Sequence, residues 1–241
     1  MTQAELLAEI RSFCEAHADP AQVTRYRKYF REGYDAYGVH QDVWERQRDA
    51  WIEEYRSRLG LKGFLALGNR LVRTGKFEEA SFAIYFVLPF EAAFTADTFD
   101  RLGAWFDHGV RNWAHSDTAC SVLLGPFLER GIVPVSRMAG WRTAASKWKR
   151  RAVPVTLLAL LDRPAKVPSL LRFIRPMMQD RERVVHQGLG WFLREAWKVR
   201  PDAVEPFLLG WKDRAPRLIF QYATERMTPQ KRARFRKVKK G

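Results

Sequence analysis

Leu61–Val87 reads LKGFLALGNRLVRTGKFEEASFAIYFV, two apolar-rich runs broken at Thr74-Gly75 and ended by Pro89. Apolar residues recur at three-and-four spacing in both runs, the pattern of a helix with one buried face. Gly75 is a helix-stop residue and Pro89 cannot continue a helix, so the stretch is a helix, a short turn and a second helix. The same grammar extends outward. Towards the N-terminus, Val43–Arg58 is a charged helix keeping Val43, Trp44, Ala50, Trp51 and Tyr55 for a core. An aromatic run, Tyr26, Tyr29, Phe30, Tyr34 and Tyr37, precedes it and closes at Gly38. Before that, Ala4–His17 carries Leu6, Leu7, Ile10, Phe13 and Cys14, with Thr2 and Glu5 in a capping-box pattern.

Towards the C-terminus the helices continue as 96–106, 113–130, 136–161, 167–178, 181–199, 203–211 and 216–225. Pro154 is expected to kink or divide the long 136–161 segment. No stretch alternates convincingly enough for a strand, and no Asn-Gly hairpin signal occurs. The fold class is therefore all-α. Helix pairs recur at roughly 35–45 residues, the period of a HEAT-like helical repeat array, or α-solenoid. A compact helical bundle is the alternative arrangement. With no long linker, residues 1–228 read as a single helical domain, followed by a basic C-terminal tail over 229–241.

The chain has 241 residues, 46% apolar and 29% charged, a balance that excludes wholesale disorder and permits a core without staples. Cys14 and Cys120 are too few for a disulfide framework and no CxxC is present, which fits a reducing, cytoplasmic setting. The most apolar stretch, Val153–Leu161, holds Pro154 and falls far below the roughly 20 residues that span a bilayer. The N-terminus lacks the apolar core of a signal peptide.

Net charge is +15, and its distribution is the first functional clue. Residues 1–120 hold 15 Lys+Arg against 18 Asp+Glu, whereas residues 121–241 hold 27 against nine. Such an asymmetry points to a polyanion, with nucleic acid ahead of an anionic membrane surface because no Lys-rich helix shows a clean apolar face. The run from Lys231 to Lys240 adds seven positive charges and no negative one, either a solvated tail or an arm that raises general DNA affinity. Phosphate-loop, dinucleotide, HExxH and GxSxG motifs are all missing, so no cofactor is expected. His108 and His115 lack the companions a metal site needs, so no metal is expected either.

Three helices place Trp beside a polar residue. Trp113 and Asp117 are four apart, so their side chains are neighbours on one face. Trp148 precedes Arg151 by three, with Arg150 between them. Trp191 precedes Arg194 by three, with Gln187 one turn earlier. Taken singly, each is an ordinary interhelical seam in which Arg stacks on a ring and pairs with a carboxylate. Taken together they offer aromatic faces, one carboxylate and arginines suited to phosphate.

Arg25-Tyr26, Tyr37-Gly38-Val39, Trp113 with Asp117, Trp148-x-x-Arg151-Ala152 and Gly190-Trp191-x-Leu193-Arg194-Glu195 together resemble the AlkD-type DNA alkylation repair glycosylases. The blocks follow in order from about residue 20 to residue 200, and their order carries the specificity. The resemblance implies a HEAT-like fold whose concave basic face holds duplex DNA. It also implies hydrolysis of the N-glycosidic bond of cationic purines such as 3-methyladenine and 7-methylguanine. Two departures mark a divergent member. The usual Trp-Asp-x-Val-Asp block is here Trp113-Ala114-His115-Ser116-Asp117, and a Pro-Glu-x-Arg-like element is replaced by residues 40–46.

On that basis Asp117, Trp113 and Trp191 are the expected catalytic residues. Arg151, Trp148, Arg150, Tyr26, Arg194 and Gln187 are the expected DNA contacts. The expected protein is a monomeric, monofunctional glycosylase of base excision repair whose partner is duplex DNA with alkylated bases. The first alternative is a non-catalytic HEAT-like protein for damaged or branched DNA. The second is a helical scaffold for an acidic protein.

Overall fold

A computed structural model describes residues 3–237, and every regular element among them is helical. Thr2 of the expected capping box, and Lys239 and Lys240 of the basic run, lie outside the described residues. No helix among the described residues is long and apolar enough to cross a membrane. The chain forms two compact units, Met1–Leu123 and Leu124–Gly241. That boundary coincides with the charge boundary, since residues 121–123 carry no charge: unit 1 is slightly acidic and unit 2 strongly basic.

Unit 1 comprises α1 (Gln3–Ala16), α2 (Pro20–Arg27), α3 (Gln41–Thr74), α4 (Phe77–Phe86), α5 (Ala96–His108) and α6 (Trp113–Thr118). The two helices expected at 43–58 and 61–73 run on as α3, bent at Gly60 (φ 58°). α4 packs along α3, and α1 and α5 also pack on α3. Fully buried Phe64, Phe82 and Phe86 form the seam, with Phe64 and Phe86 ring centroids 5.2 Å apart. Trp51 edges onto Phe82 at 5.2 Å and donates its indole N–H to Glu9 of α1 at 2.9 Å. α2 has no buried residue; Asp19 caps it by accepting from the Ala21 N–H at 2.8 Å.

Unit 2 comprises α7 (Gly125–Glu129), α8 (Lys147–Thr156), α9 (Val167–Ile174), α10 (Arg183–Val199), α11 (Pro201–Trp211), α12 (Arg217–Ala223) and α13 (Pro229–Ala233). α10 is the centre, packed on α8, α11 and α12 through Val184, Val185, Leu189, Phe192, Leu193 and Ala196. Those positions follow the helical period.

Two expected helices are interrupted. The 113–130 segment widens into π-type turns at Ala119–Leu124, because Pro126 has no N–H to continue the ladder. The 136–161 segment divides before α8, where Ser146 caps the new helix by accepting from the Lys149 N–H at 3.3 Å, while Pro154 stays inside α8. The described part of the C-terminal run is mostly exposed but is anchored to unit 2. Phe235 is fully buried, its carbonyl accepts from Arg217 at 2.8 Å, and Lys231 and Arg234 pair with Glu205 at 2.7 and 3.1 Å.

α10 and α12 approach closely at Gly190, where a Cβ would collide with Tyr222 Cβ and the Ile219 carbonyl of α12. Gly190→Ala should therefore force α12 away and lower stability by about 1–3 kcal/mol, as overpacking does. The check is the thermal midpoint beside Gly210→Ala, where a Cβ meets open space.

Candidate functional site

α6 begins at a cap that fixes its first turn. Asn112 accepts from the His115 N–H at 2.9 Å and donates from its amide to His115 Nδ1 at 2.9 Å. His115 Nε2 lies 2.9 Å from the Phe77 carbonyl of α4. A neutral ring with its proton on Nε2 satisfies both contacts, and burial pushes this imidazole down to about 4. His115 is thus a peg joining α6 to α4.

The peg leaves Trp113 outward. It is 41% exposed, stacks on Phe30 at 5.6 Å and 18°, and donates its indole N–H to the Tyr29 carbonyl at 3.0 Å. Asp117 sits one turn further along, half-buried, and its main-chain carbonyl accepts from Ser121 at 2.9 Å.

The chain between α2 and α3 is held over α4 by two buried carboxylates. Glu78 accepts backbone N–H groups from Tyr37, Gly38 and Val39 at 2.9, 2.7 and 3.2 Å. Glu79 accepts from the Tyr37 hydroxyl at 2.8 Å. Gly38 turns with φ +86°, and a Cβ there would strike the Asp19 carbonyl. Held this way, the segment roofs a cavity of about 490 Å³ inside unit 1. Tyr26, Tyr29, Phe30, Trp44, Tyr85 and Trp113 supply its aromatic wall. Two of the expected site residues, Tyr26 and Trp113, meet there, and Thr118, next to Asp117, also lines it. The sequence marks Trp44 as a core residue and gives Tyr85 and Glu78 no role. The adjacent Glu78-Glu79 in the otherwise apolar α4 was the available signal, since buried carboxylates must be engaged.

The remaining expected residues lie in unit 2, and most have work there. Trp148 is buried. Arg150 grips Asp180 at 2.6 Å and closes the start of α8 through the Ala144 and Ala145 carbonyls at 2.7 and 3.0 Å. Arg151 is only 6% exposed and donates to the Val184 carbonyl of α10 at 2.6 Å. A phosphate contact from Arg151 would have to use its other N–H groups or give up that bond. Gln187 donates to the Tyr222 hydroxyl at 2.8 Å, and Arg194 to Glu195 and Glu225, both at 2.7 Å. Trp191 is half-buried on α10. Arg172, Arg175, Arg181 and Arg183 present their charge to solvent.

The family model for DNA alkylation repair enzymes matches residues 10–227, across both units. The chain belongs to the DNA alkylation repair enzyme family. None of the curated proteins matches its sequence. Among solved structures it is similar to one described as a predicted DNA alkylation repair enzyme from Enterococcus faecalis, with a TM-score of 0.74 and 15% identity. The similarity covers 88% of this chain and 98% of that one. It is also similar to smu.31 from Streptococcus mutans UA159 (TM-score 0.59, 15% identity, 86% and 98% covered). AlkD2 from Streptococcus mutans is a third (TM-score 0.58, 17% identity, 85% and 96% covered). At these identities the likeness establishes the all-α helical-repeat fold.

In this family member the His115 peg has a measurable pH signature. The unfolded imidazole titrates near 6.5 and the folded one near 4, so the unfolded chain binds the extra proton between those values. Stability contributed by His115 is full above about pH 6.5 and is lost as pH falls towards 4, by about 3 kcal/mol in all. Denaturation of wild type and His115→Gln across that window should give a steeper loss for wild type; parallel curves would remove the buried neutral histidine.

Proposed function

We propose that this protein is a monofunctional DNA glycosylase that hydrolyses the N-glycosidic bond of cationic N-alkylated purines in duplex DNA. What carries the reading is Trp113 and Asp117 one helical turn apart at the outer side of α6, in a chain of the DNA alkylation repair family. Unit 2, with 27 Lys+Arg against nine Asp+Glu, supports DNA as the partner through its field.

A purine alkylated at N3 or N7 already carries positive charge. The C1′–N9 bond breaks with its electron pair leaving on the base, and the sugar becomes an oxocarbenium-like cation. Asp117 stabilises that cation and accepts the proton of the water that attacks C1′. The products are free base and an abasic sugar, with no group transferred to the protein. The electron-rich face of Trp113 favours the cationic base and sugar, and Trp191 on α10 is a candidate DNA contact of unit 2. Arg150 and Arg151 hold α8 and the start of α10, the helix that carries Trp191, and exposed cations of unit 2 meet phosphates. A monomer acting in the cytoplasm completes the reading.

Release of free base from duplex DNA containing 7-methylguanine or 3-methyladenine tests it. Wild type should release base, and Asp117→Asn should lose release by at least about a hundredfold while DNA affinity stays within a few-fold. Full activity in Asp117→Asn sinks the catalytic assignment, and tight DNA binding without release by wild type favours the non-catalytic alternative.

A further inference from the structure

We infer that the groove between α9 and α11 is a docking site for an acidic segment of another protein, an apolar side chain flanked by carboxylates. The inference does not depend on the glycosylase reading.

Unit 2 sorts its helices. α10 packs on α8 and α12, while α11 packs on α9 and against α10. The expected site residues of unit 2 all lie on α8 and α10. α9 and α11 carry none of them, yet they frame a groove of about 320 Å³. That volume is at the small end for ligand pockets and suits a large side chain with its flanking backbone.

The walls ask for an apolar group. Pro168 and Leu171 of α9 and Pro206 and Phe207 of α11 line the groove. Pro206 is exposed and Phe207 half-buried, so apolar surface stays open to solvent on a helix whose core residues are Val204 and Leu208. An apolar side chain gains by covering that surface, and a phosphate does not.

The rim asks for negative charge. Arg172 and Arg175, three apart at the C-terminal end of α9, both line the groove. Both are exposed, and neither pairs with a carboxylate among the described residues. The described carboxylate of the lining, Asp202, is already held by two nitrogens of Arg200 at 2.9 and 2.7 Å. Glu205, one turn further along α11, is taken by Lys231 at 2.7 Å and Arg234 at 3.1 Å. Two like charges at this spacing repel, and an incoming carboxylate relieves them. Each guanidinium is a planar fork that a carboxylate meets with two bonds.

α11 also carries an incomplete main-chain turn. Pro206 has no N–H, so the Asp202 carbonyl one turn earlier lacks its α-helical donor. Both residues line the groove, and the backbone N–H of a bound peptide is such a donor. Nucleic acid would satisfy the arginines alone. An acidic segment with an apolar anchor satisfies the arginines, the walls and the carbonyl together, with the anchor at the centre and the charge at the rim.

The test is fluorescence anisotropy of the full chain with a labelled peptide in which a leucine stands between two pairs of glutamates. Control peptides replace the glutamates by glutamines, or the leucine by serine. The parent peptide should bind about tenfold more tightly than the glutamine peptide and about fivefold more tightly than the serine peptide. Arg172→Gln with Arg175→Gln should weaken the parent peptide about tenfold. Arg181→Gln with Arg183→Gln, the same loss of charge outside the groove, should change it by less than about twofold. Ala203→Leu, which adds bulk to the lining, should weaken it about fivefold. If Ala203→Leu lowers the thermal midpoint, the exposed arginine pair carries the test.

No binding of the parent peptide, equal losses in the two arginine pairs, or equal binding of the leucine and serine peptides overturns the site. Displacement of the peptide by duplex DNA, with DNA binding itself weakened about tenfold by Arg172→Gln and Arg175→Gln, makes these arginines phosphate contacts and also overturns it. A wild-type dimer in sedimentation that Ala203→Leu dissociates gives the groove to a second copy, and the acidic partner falls.

Discussion

Unit 1 depends on the buried carboxylate of Glu78. An ionised carboxyl out of water is expensive unless donors surround it, and three consecutive backbone N–H groups do so here. Because those donors belong to Tyr37, Gly38 and Val39, satisfying the charge also fixes the path of a segment with no helix of its own. That path positions Tyr29, whose carbonyl receives the Trp113 indole, and Phe30, on which Trp113 stacks.

The two units divide the electrostatics. Unit 2 concentrates positive charge, and its internal arginines, Arg150, Arg151 and Arg194, are committed to carbonyls and carboxylates that hold α8, α10 and α12. The charge left to solvent is supplied by other residues, Arg172, Arg175, Arg181 and Arg183 among them. Unit 1 is close to neutral and carries the aromatic cavity with its carboxylates.

The Trp-centred blocks illustrate how one pattern serves two ends. Trp113 is exposed beside Asp117, whereas Trp148, with the same three-or-four spacing to a charged neighbour, is core. Spacing reports that two side chains share a face; it carries no information on whether that face meets solvent or another helix. His115 shows the same limit, standing between Trp113 and Asp117 in sequence yet pointing inward to Phe77.

The sequence by itself determined the all-α class, the helix-pair grammar, the charge asymmetry and the blocks that mark the DNA alkylation repair family. Those properties rest on periodicity, composition and short-range spacing, and helical hydrogen bonds close within four residues, so local sequence suffices. Only the tertiary structure decided where the 113–130 and 136–161 segments break, which arginines are braces, and that Phe235 packs. It alone made the cavity, because Gln22, Trp44, Glu78 and Trp113 meet only after the segment before α3 docks on α4. Contacts between residues 40 to 90 apart in sequence leave no local period, and burial of a charged group is a property of what surrounds it.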